Sequence, residues 1–302
     1  MEQLRVITKR NLMLYLRDKG AVFFSLLSML IIIGLMVLFL GDAAIQNIQE
    51  LLAQFPGHDT TTDETNARLL VLSWNFAGIL SVNAVTVTLS ALSSMIKDKT
   101  SGRIKSIYTA PVNRMVLALG YVLAAWAASV MICTLTLVIT ECYGVACGME
   151  WFSVTEHIKL MGMILVNSFA YAAFMYVAAV LVRSEGSWSG FGTVVGTLVG
   201  FLGGIYLAIG QLSQSVGRIM KCTPVIYGTS MFRQVMTEQI MEKTFDGIPE
   251  EAEKAYREVM GIDLFVFDQK VSVGMSFAVL LIFGVIFLMI GAACVKYGRK
   301  DC

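Results

Sequence analysis

The residues able to do chemistry are few and poorly grouped for it. Two histidines, His58 and His157, and six cysteines, at positions 133, 142, 147, 222, 294 and 302, are scattered along 302 residues. No CxxC pair occurs, whereas a structural zinc site needs four closely spaced soft ligands. The stretch GSWSG, residues 186–190, has the outline of a GxSxG nucleophile elbow, but its central residue is Trp188 rather than serine. No GxxxxGK[ST] run is present, so nucleotide has no phosphate loop in this chain. These residues predict no catalytic centre, no metal site and no cofactor held by the chain itself. Cys142 and Cys147 flank a short turn; they read either as small apolar fillers or as a pair formed in an oxidising compartment.

Two regularities remain. Asn75, Asn83, Thr86, Ser90, Ser93 and Ser94 fall within about 100° of arc on a 3.6-residue helix. Such a polar stripe either lines a path for an amphiphilic solute, with Asn75, Asn83, Thr86 and Ser90 as the candidates, or glues helices together at about 0.6 kcal/mol per hydrogen bond. Gly192, Gly196, Gly200, Gly204 and Ala208 follow one another at intervals of four, a ladder of small residues that lets a second backbone approach closely, within the subunit or across a dimer.

The elements that must position these residues are membrane spans. The chain is 56% hydrophobic and 15% charged, with a mean hydropathy of +0.70, outside the range of soluble domains. Six stretches free of Asp, Glu, Lys and Arg reach the length of about 20 residues that a bilayer requires: 20–41, 69–96, 115–140, 160–182, 186–217 and 271–295. Spans are placed near 21–40, 70–95, 116–140, 160–182, 190–210 and 272–295. The first apolar core follows 20 residues of charged sequence and exceeds a signal-peptide core, so it is expected to be a retained helix. The expected fold is an all-α membrane protein with six transmembrane helices in residues 21–302, preceded by an interfacial helix in 1–20.

Charge sets the orientation. Residues 1–20, 97–114, 183–185 and 296–302 together hold 14 Lys and Arg, whereas the opposite loops, 42–68 and 141–159, hold only Arg68 and Lys159. The positive-inside rule puts both termini in the cytoplasm. Residues 211–270 then form a long extracellular or re-entrant connection, which long loops permit regardless of charge. Its first part is broken by Gly217, Pro224 and Gly228, as two half-helices dipping in from the outer surface would be. Its last part, PEEAEKAYREVM, reads as a solvated helix, with Pro249 at the first helical position and Glu250–Lys254 and Glu253–Arg257 as i,i+4 pairs. In residues 1–19, Leu4, Ile7, Leu14 and Tyr15 share a face interrupted by Asn11 and Asp18, an imperfect amphipathic helix lying along the headgroups. No span interior carries an ionisable side chain, which disfavours a proton- or ion-coupled carrier.

Three stretches resemble one family. RNLMLYLRDKG (10–20) is similar to the interfacial helix that opens the membrane subunits of type-2 ABC exporters. IKDKTSGRIKSIYTAPVNRM (96–115) is similar to their cytoplasmic loop after span two, with an acid, a glycine, an apolar position and then Pro-Val. GRIMKCTPVIYGTSMFRQVM (217–236) is similar to their re-entrant segment, with a central proline and a downstream arginine. The layout of nearly the whole chain resembles these six-span permeases, the ABC-2 type transporter family.

The resemblance implies a multi-pass protein of a bacterial cell membrane that exports a drug-like, peptide or lipid-like amphiphile. A separate ABC ATPase subunit would bind the ATP and Mg, and a second copy or a paralogous permease would complete the path at spans two and five. It also implies that the loop after span two docks on the ATPase, giving coupling roles to Arg17, Asp98, Gly102, Arg103, Ile104, Lys105, Tyr108 and Pro111. In this reading Ile104 and Tyr108 form one apolar face of a short helix, RIKSIYTA, while Arg103 and Lys105 meet acids of the partner. Lys105 stands where the family often has an acid. An ATP-independent channel or carrier, and a non-transporting immunity or sensor scaffold, are the competing readings.

Overall fold

The computed structural model describes residues 2–35, 41–55, 60–104, 113–267 and 269–297. Two helices open the chain, α1 (Glu2–Arg17) and α2 (Lys19–Leu35). Asp18 alone separates them; its Oδ1 accepts the amide of Ala21 at 3.0 Å, an N-cap bond that starts α2. A short α3 (Gly41–Leu52) precedes one 41-residue helix, α4 (Thr60–Thr100). Next come α5 (Arg114–Ala146), α6 (Val154–Leu181) and α7 (Glu185–Leu202). Short elements follow: α8 (Gln214–Lys221), α9 (Pro224–Met236), α10 (Glu238–Thr244), α11 (Glu250–Val259) and an antiparallel hairpin of β1 (Leu264–Val266) with β2 (Gln269–Val271). The long α12 (Val273–Tyr297) closes the bundle.

Among the described residues, four helical stretches are long and apolar enough to cross a membrane: Asp63–Thr100, Arg114–Ala146, Val154–Leu181 and Val273–Lys296. They coincide with the second, third, fourth and sixth expected spans, and the protein is an all-α membrane protein. The first and fifth expected spans differ. α2 has 17 residues and ends where residues 36–40 leave the described part of the chain. α7 stops at Leu202, well short of residue 210, because Gly204 takes a φ of 64°. The amide of Ile205 then reaches the carbonyl of Gly200 at 2.9 Å and that of Gly204 reaches Phe201 at 2.9 Å, a Schellman ending that L side chains do not favour.

Local chemistry sets the other helix ends. Ser153 and Glu156 form a reciprocal capping box on α6, Asn113 caps α5, and Ser184 caps α7. Pro224 occupies the first turn of α9, where its missing N–H costs nothing. Pro249 sits one position earlier than expected, at the N-cap of α11. The pairs Glu250–Lys254 and Glu253–Arg257 both form, at 2.8 and 3.3 Å. Residues 42–52 and 60–68, within the loop 42–68 expected from the sequence, are helical: α3 is a separate helix, and α4 continues beyond the apolar run that defines its span.

α4 is the central mast. Its span is 72% buried within the protein, against 17% for α12, and it packs on α2, α3, α5, α6, α7, α9 and α10. α9 enters the bundle between α4, α6 and α12, and every residue from Gly228 to Met236 is buried. α1 lies against α5 and α4. Its inward face differs from the expected one: Asn11 and Tyr15 are buried, whereas Leu14 is exposed. Asn11 turns inward because Arg10, its neighbour, donates to its Oδ1 at 2.9 Å on the way to a buried acid.

Close helix approach occurs at glycines outside the expected ladder. A Cβ built on Gly120 of α5 would stand 2.4 Å from Ile7 Cγ2 and 3.7 Å from the backbone nitrogen of Thr8 on α1. On α12, a Cβ at Gly284 would stand 2.6 Å from the Phe169 ring, and one at Gly291 2.9 Å from the Tyr176 ring. Of the ladder, only Gly192 meets another span, with Leu89 of α4 at 3.1 Å; Gly196 faces open space, and Gly200 abuts Tyr206 of the following turn. Gly120→Ala is therefore expected to destabilise the protein by about 1–3 kcal/mol through overpacking of α1, whereas Gly196→Ala gains helix propensity and leaves stability equal or higher. Thermal unfolding of both variants in one detergent checks this; equal midpoints would mean that α1 is not seated on α5.

Candidate functional site

The last turn of α4 reads Lys97-Asp98-Lys99-Thr100, and each of these four residues binds a different neighbour. Asp98 has a side chain only 2% exposed. A carboxylate so buried must be paired and hydrogen-bonded, since its desolvation is costly. Arg10 of α1 supplies a two-pronged pair, Nη1 to Oδ2 at 2.8 Å and Nη2 to Oδ1 at 3.0 Å. Tyr121 of α5 donates its hydroxyl to Oδ2 at 2.7 Å, and Arg103 approaches Oδ1 at 3.9 Å. The hydrogen bonds that the Arg10 guanidinium donates to Asp98 hold it above its ordinary pKa, outweighing the opposing effect of burial.

Lys99 serves α6. Its Nζ donates to the carbonyls of Ala179, Val180 and Val182 at 2.8, 2.9 and 3.3 Å, a cation on the last unpaired carbonyls of a helix. Thr100 donates to Glu185 Oε1 at 2.8 Å in the first turn of α7, and Lys97 lies 3.7 Å from Asp18 at the start of α2. The end of α4 is thus tied to α1, α2, α5, α6 and α7. Ser101 and Gly102 close the helix, Gly102 with a φ of 74°.

The expected coupling residues divide accordingly. Asp98 is turned into the bundle. Ile104 is 7% exposed and lines a cavity of about 280 Å³ with Leu117 and Tyr176, so it faces its own bundle instead of offering an apolar knob to a partner. Arg103 has a side chain 67% exposed at the same turn, and Arg17 is exposed at the end of α1. Lys105, Tyr108 and Pro111 lie outside the described residues.

The polar stripe on α4 also divides. Asn83 is 1% exposed and donates to Thr136 Oγ1 of α5 at 3.0 Å, so it joins two helices of one chain. Thr86 and Ser90 are half-buried; Thr86 bonds back to its own helix at Val82 and Asn83. Ser93 accepts the indole N–H of Trp188 at 3.0 Å and joins α4 to α7. Asn75 lies near the other end of the mast, in a cavity wall.

At that other end, Arg233 of α9 is fully buried. Its Nη2 donates to Gly204 O at 2.8 Å and its Nη1 to Met260 O at 3.3 Å, while its guanidinium lies over the Trp74 ring, 3.8 Å from the centroid. Trp74 donates its own N–H to Met260 O at 2.8 Å. Gly204 and Met260 end α7 and α11, so the cation sits on the negative ends of two helices and a π face. Among the described residues it has no carboxylate partner. Sequence reasoning named Arg233 only within a motif and missed Arg10, Lys99, Tyr121 and Trp74 as partners. A lone acid in a basic run was the available signal, because a buried acid demands a cation.

The architecture is that of a multi-pass membrane protein, with four long apolar helices and a basic end to α4. The family model described as ABC-2 family transporter protein matches residues 40–293, and the chain belongs to that family. No curated protein matches the sequence.

Two measurements bear on this geometry. Asp98→Asn and Arg10→Gln are each expected to cost about 2–3 kcal/mol, less than the 3–5 kcal/mol of a fully buried pair because the Arg10 side chain is 37% exposed. The double variant should be little worse than either single, and strictly additive losses in unfolding midpoints would show that the pair does not hold α1 in place. Arg233→Lys keeps the charge but loses the fork, and a loss of about 2–4 kcal/mol, close to that of Arg233→Met, is expected. Full stability of the lysine variant would leave charge alone as the requirement.

Proposed function

We propose that this chain is the transmembrane permease subunit of an ATP-driven exporter, moving an amphiphile outward while a separate ABC ATPase subunit binds and hydrolyses ATP with Mg. In this reading the chain spans the membrane six times with both termini in the cytoplasm, and α8 with α9 forms the re-entrant segment. The chain has no catalytic role of its own; it supplies the path and the lever. The observation that carries the reading is the tie at residues 97–100. It stands directly before the loop that resembles a coupling loop, and it joins that loop to five other helices.

Mechanically, force applied to the segment that follows residue 100 reaches α4 through the backbone. It reaches α1 and α5 through Asp98, α6 through Lys99 and α7 through Thr100. Rigid-body movement of packed helices about such a node is the ordinary way a small displacement is amplified. The exposed face of α7, with Val194 56% and Leu198 49% exposed, is the surface on which a second copy or a paralogue would complete the path.

The test uses the full chain reconstituted with a candidate ABC ATPase subunit from the same organism. Lys105→Glu combined with Tyr108→Asp is expected to lower ATPase co-purification at least tenfold, with the unfolding midpoint of the chain alone as the control for folding. Arg103 is left in place because it approaches the buried Asp98 at 3.9 Å. Ile104 is left untouched, because its burial would confuse docking with folding. Undiminished co-purification, with substrate-stimulated hydrolysis intact, would remove the coupling role of this loop.

A further inference from the structure

At the end of the bundle opposite to residues 97–100, a half-enclosed cavity of about 620 Å³ opens between α3, α4, α11 and the turn after α7. Sites for small organic molecules commonly enclose about 300–1,000 Å³, with apolar walls and a few placed polar groups. The wall is built from Ile48 of α3, Trp74 of α4 and Tyr256 of α11. Its hydrogen-bonding groups include three carboxamides: Asn47, Asn75 and Gln211. No Asp, Glu, Lys, Arg or His lines it among the described residues.

Asn75 is the informative member. It is 3% exposed, and its amide nitrogen donates to Val71 O at 2.7 Å within α4. Among the described residues its Oδ1 has no hydrogen-bond partner. Buried polar atoms are rarely left so, and each costs about 1–3 kcal/mol of desolvation. Among the described residues no charged side chain lines the wall, so the matching ligand brings an apolar body for the aromatic and aliphatic surface and an uncharged hydrogen-bonding head for the carboxamides.

We infer that this cavity is a binding site for an uncharged amphiphile with a hydroxyl head, seated with its head among Asn47, Asn75 and Gln211 and its apolar part against Ile48, Trp74 and Tyr256. The site deepens the exporter reading, on which it rests for the class of solute, because Asn75 is one of the path candidates. Failure of binding to the chain alone would remove the site and leave the exporter reading standing. It is enclosed by one chain and needs neither nucleotide nor ATPase.

The experiment therefore uses the purified full chain alone, in phosphatidylcholine nanodiscs. Tritiated monolaurin is titrated beside two ligands with the same tail length and charged heads, laurate and dodecyltrimethylammonium. Saturable monolaurin binding is expected, at least tenfold tighter than either charged ligand. Asn75→Leu should weaken it about tenfold. Ala252→Phe, which fills the cavity from α11, should abolish it. Gln211→Leu alters an exposed rim residue without burying anything new, so its weakening of monolaurin reads the site even where Asn75→Leu folds poorly. Equal affinities for the three heads would overturn the proposal, as would undiminished binding in a folded Ala252→Phe protein or in Gln211→Leu.

Discussion

A carboxylate buried at the end of a long helix has to be answered by a cation, and the arrangement of Asp98 with Arg10 organises one whole end of this protein. The acid is on α4, the cation on α1 and the additional donor, Tyr121, on α5. Removing any one partner leaves another polar group stranded away from water, so the three helices are bound in a fixed register. Lys99 extends the same logic to α6 by covering its terminal carbonyls, groups that a helix cannot satisfy internally. Basic residues that the positive-inside rule explains as orientation signals thus hold helix ends together as well. Topology and architecture draw on the same side chains.

The opposite end solves a harder electrostatic problem. Arg233 is withdrawn completely into the protein, yet its attraction comes from dipoles and a π face, not from an anion. Carbonyls that end α7 and α11 are convergent partial negative charges, and the guanidinium fork reaches one on each side. Glycines make room for it: a Cβ on Gly78, Gly204 or Gly261 would come within 3.4 to 3.7 Å of its terminal nitrogens. Arg233 lies on α9, the helix buried between α4, α6 and α12, so the same cation that ends α7 and α11 also fixes the inserted helix.

Apolar run lengths and breakers made much of this legible in the sequence. Four spans and the break at Pro224 follow from local chemistry that a single segment carries. What the sequence could not disclose is what each face meets. Periodicity put Asn83 and Ser93 on one stripe, but only packing decides that Asn83 joins α5 and Ser93 joins α7. Spacing likewise marked a glycine ladder on α7, whereas the tight approaches are at Gly120, Gly284 and Gly291, whose neighbours in sequence form no ladder. Ile104 shows the same limit: an apolar residue in a basic loop is equally suited to a partner or to its own bundle, and here it turns inward. The cavity beside Asn75 arises between segments far apart in the chain, so no local pattern announces it.

These ties constrain how the molecule can move. α4 has 41 residues, about 60 Å of helix at 1.5 Å per residue, roughly twice the hydrocarbon thickness of a bilayer. It contains no proline, and its only glycine is Gly78, where a Cβ would stand 2.9 Å from the Ile205 side chain. Sharp helix kinks arise at proline, at glycine–serine pairs or at inserted groups, so little in this helix invites bending. Its basic end is bound to five helices through residues 97–100, and its far end is bound to α11 through Trp74. A push at the first end must therefore travel as tilt or translation of the whole rod, carrying the wall of the Asn75 cavity with it. The two ends communicate because the helix between them is stiff, and no chain of side-chain rearrangements is required.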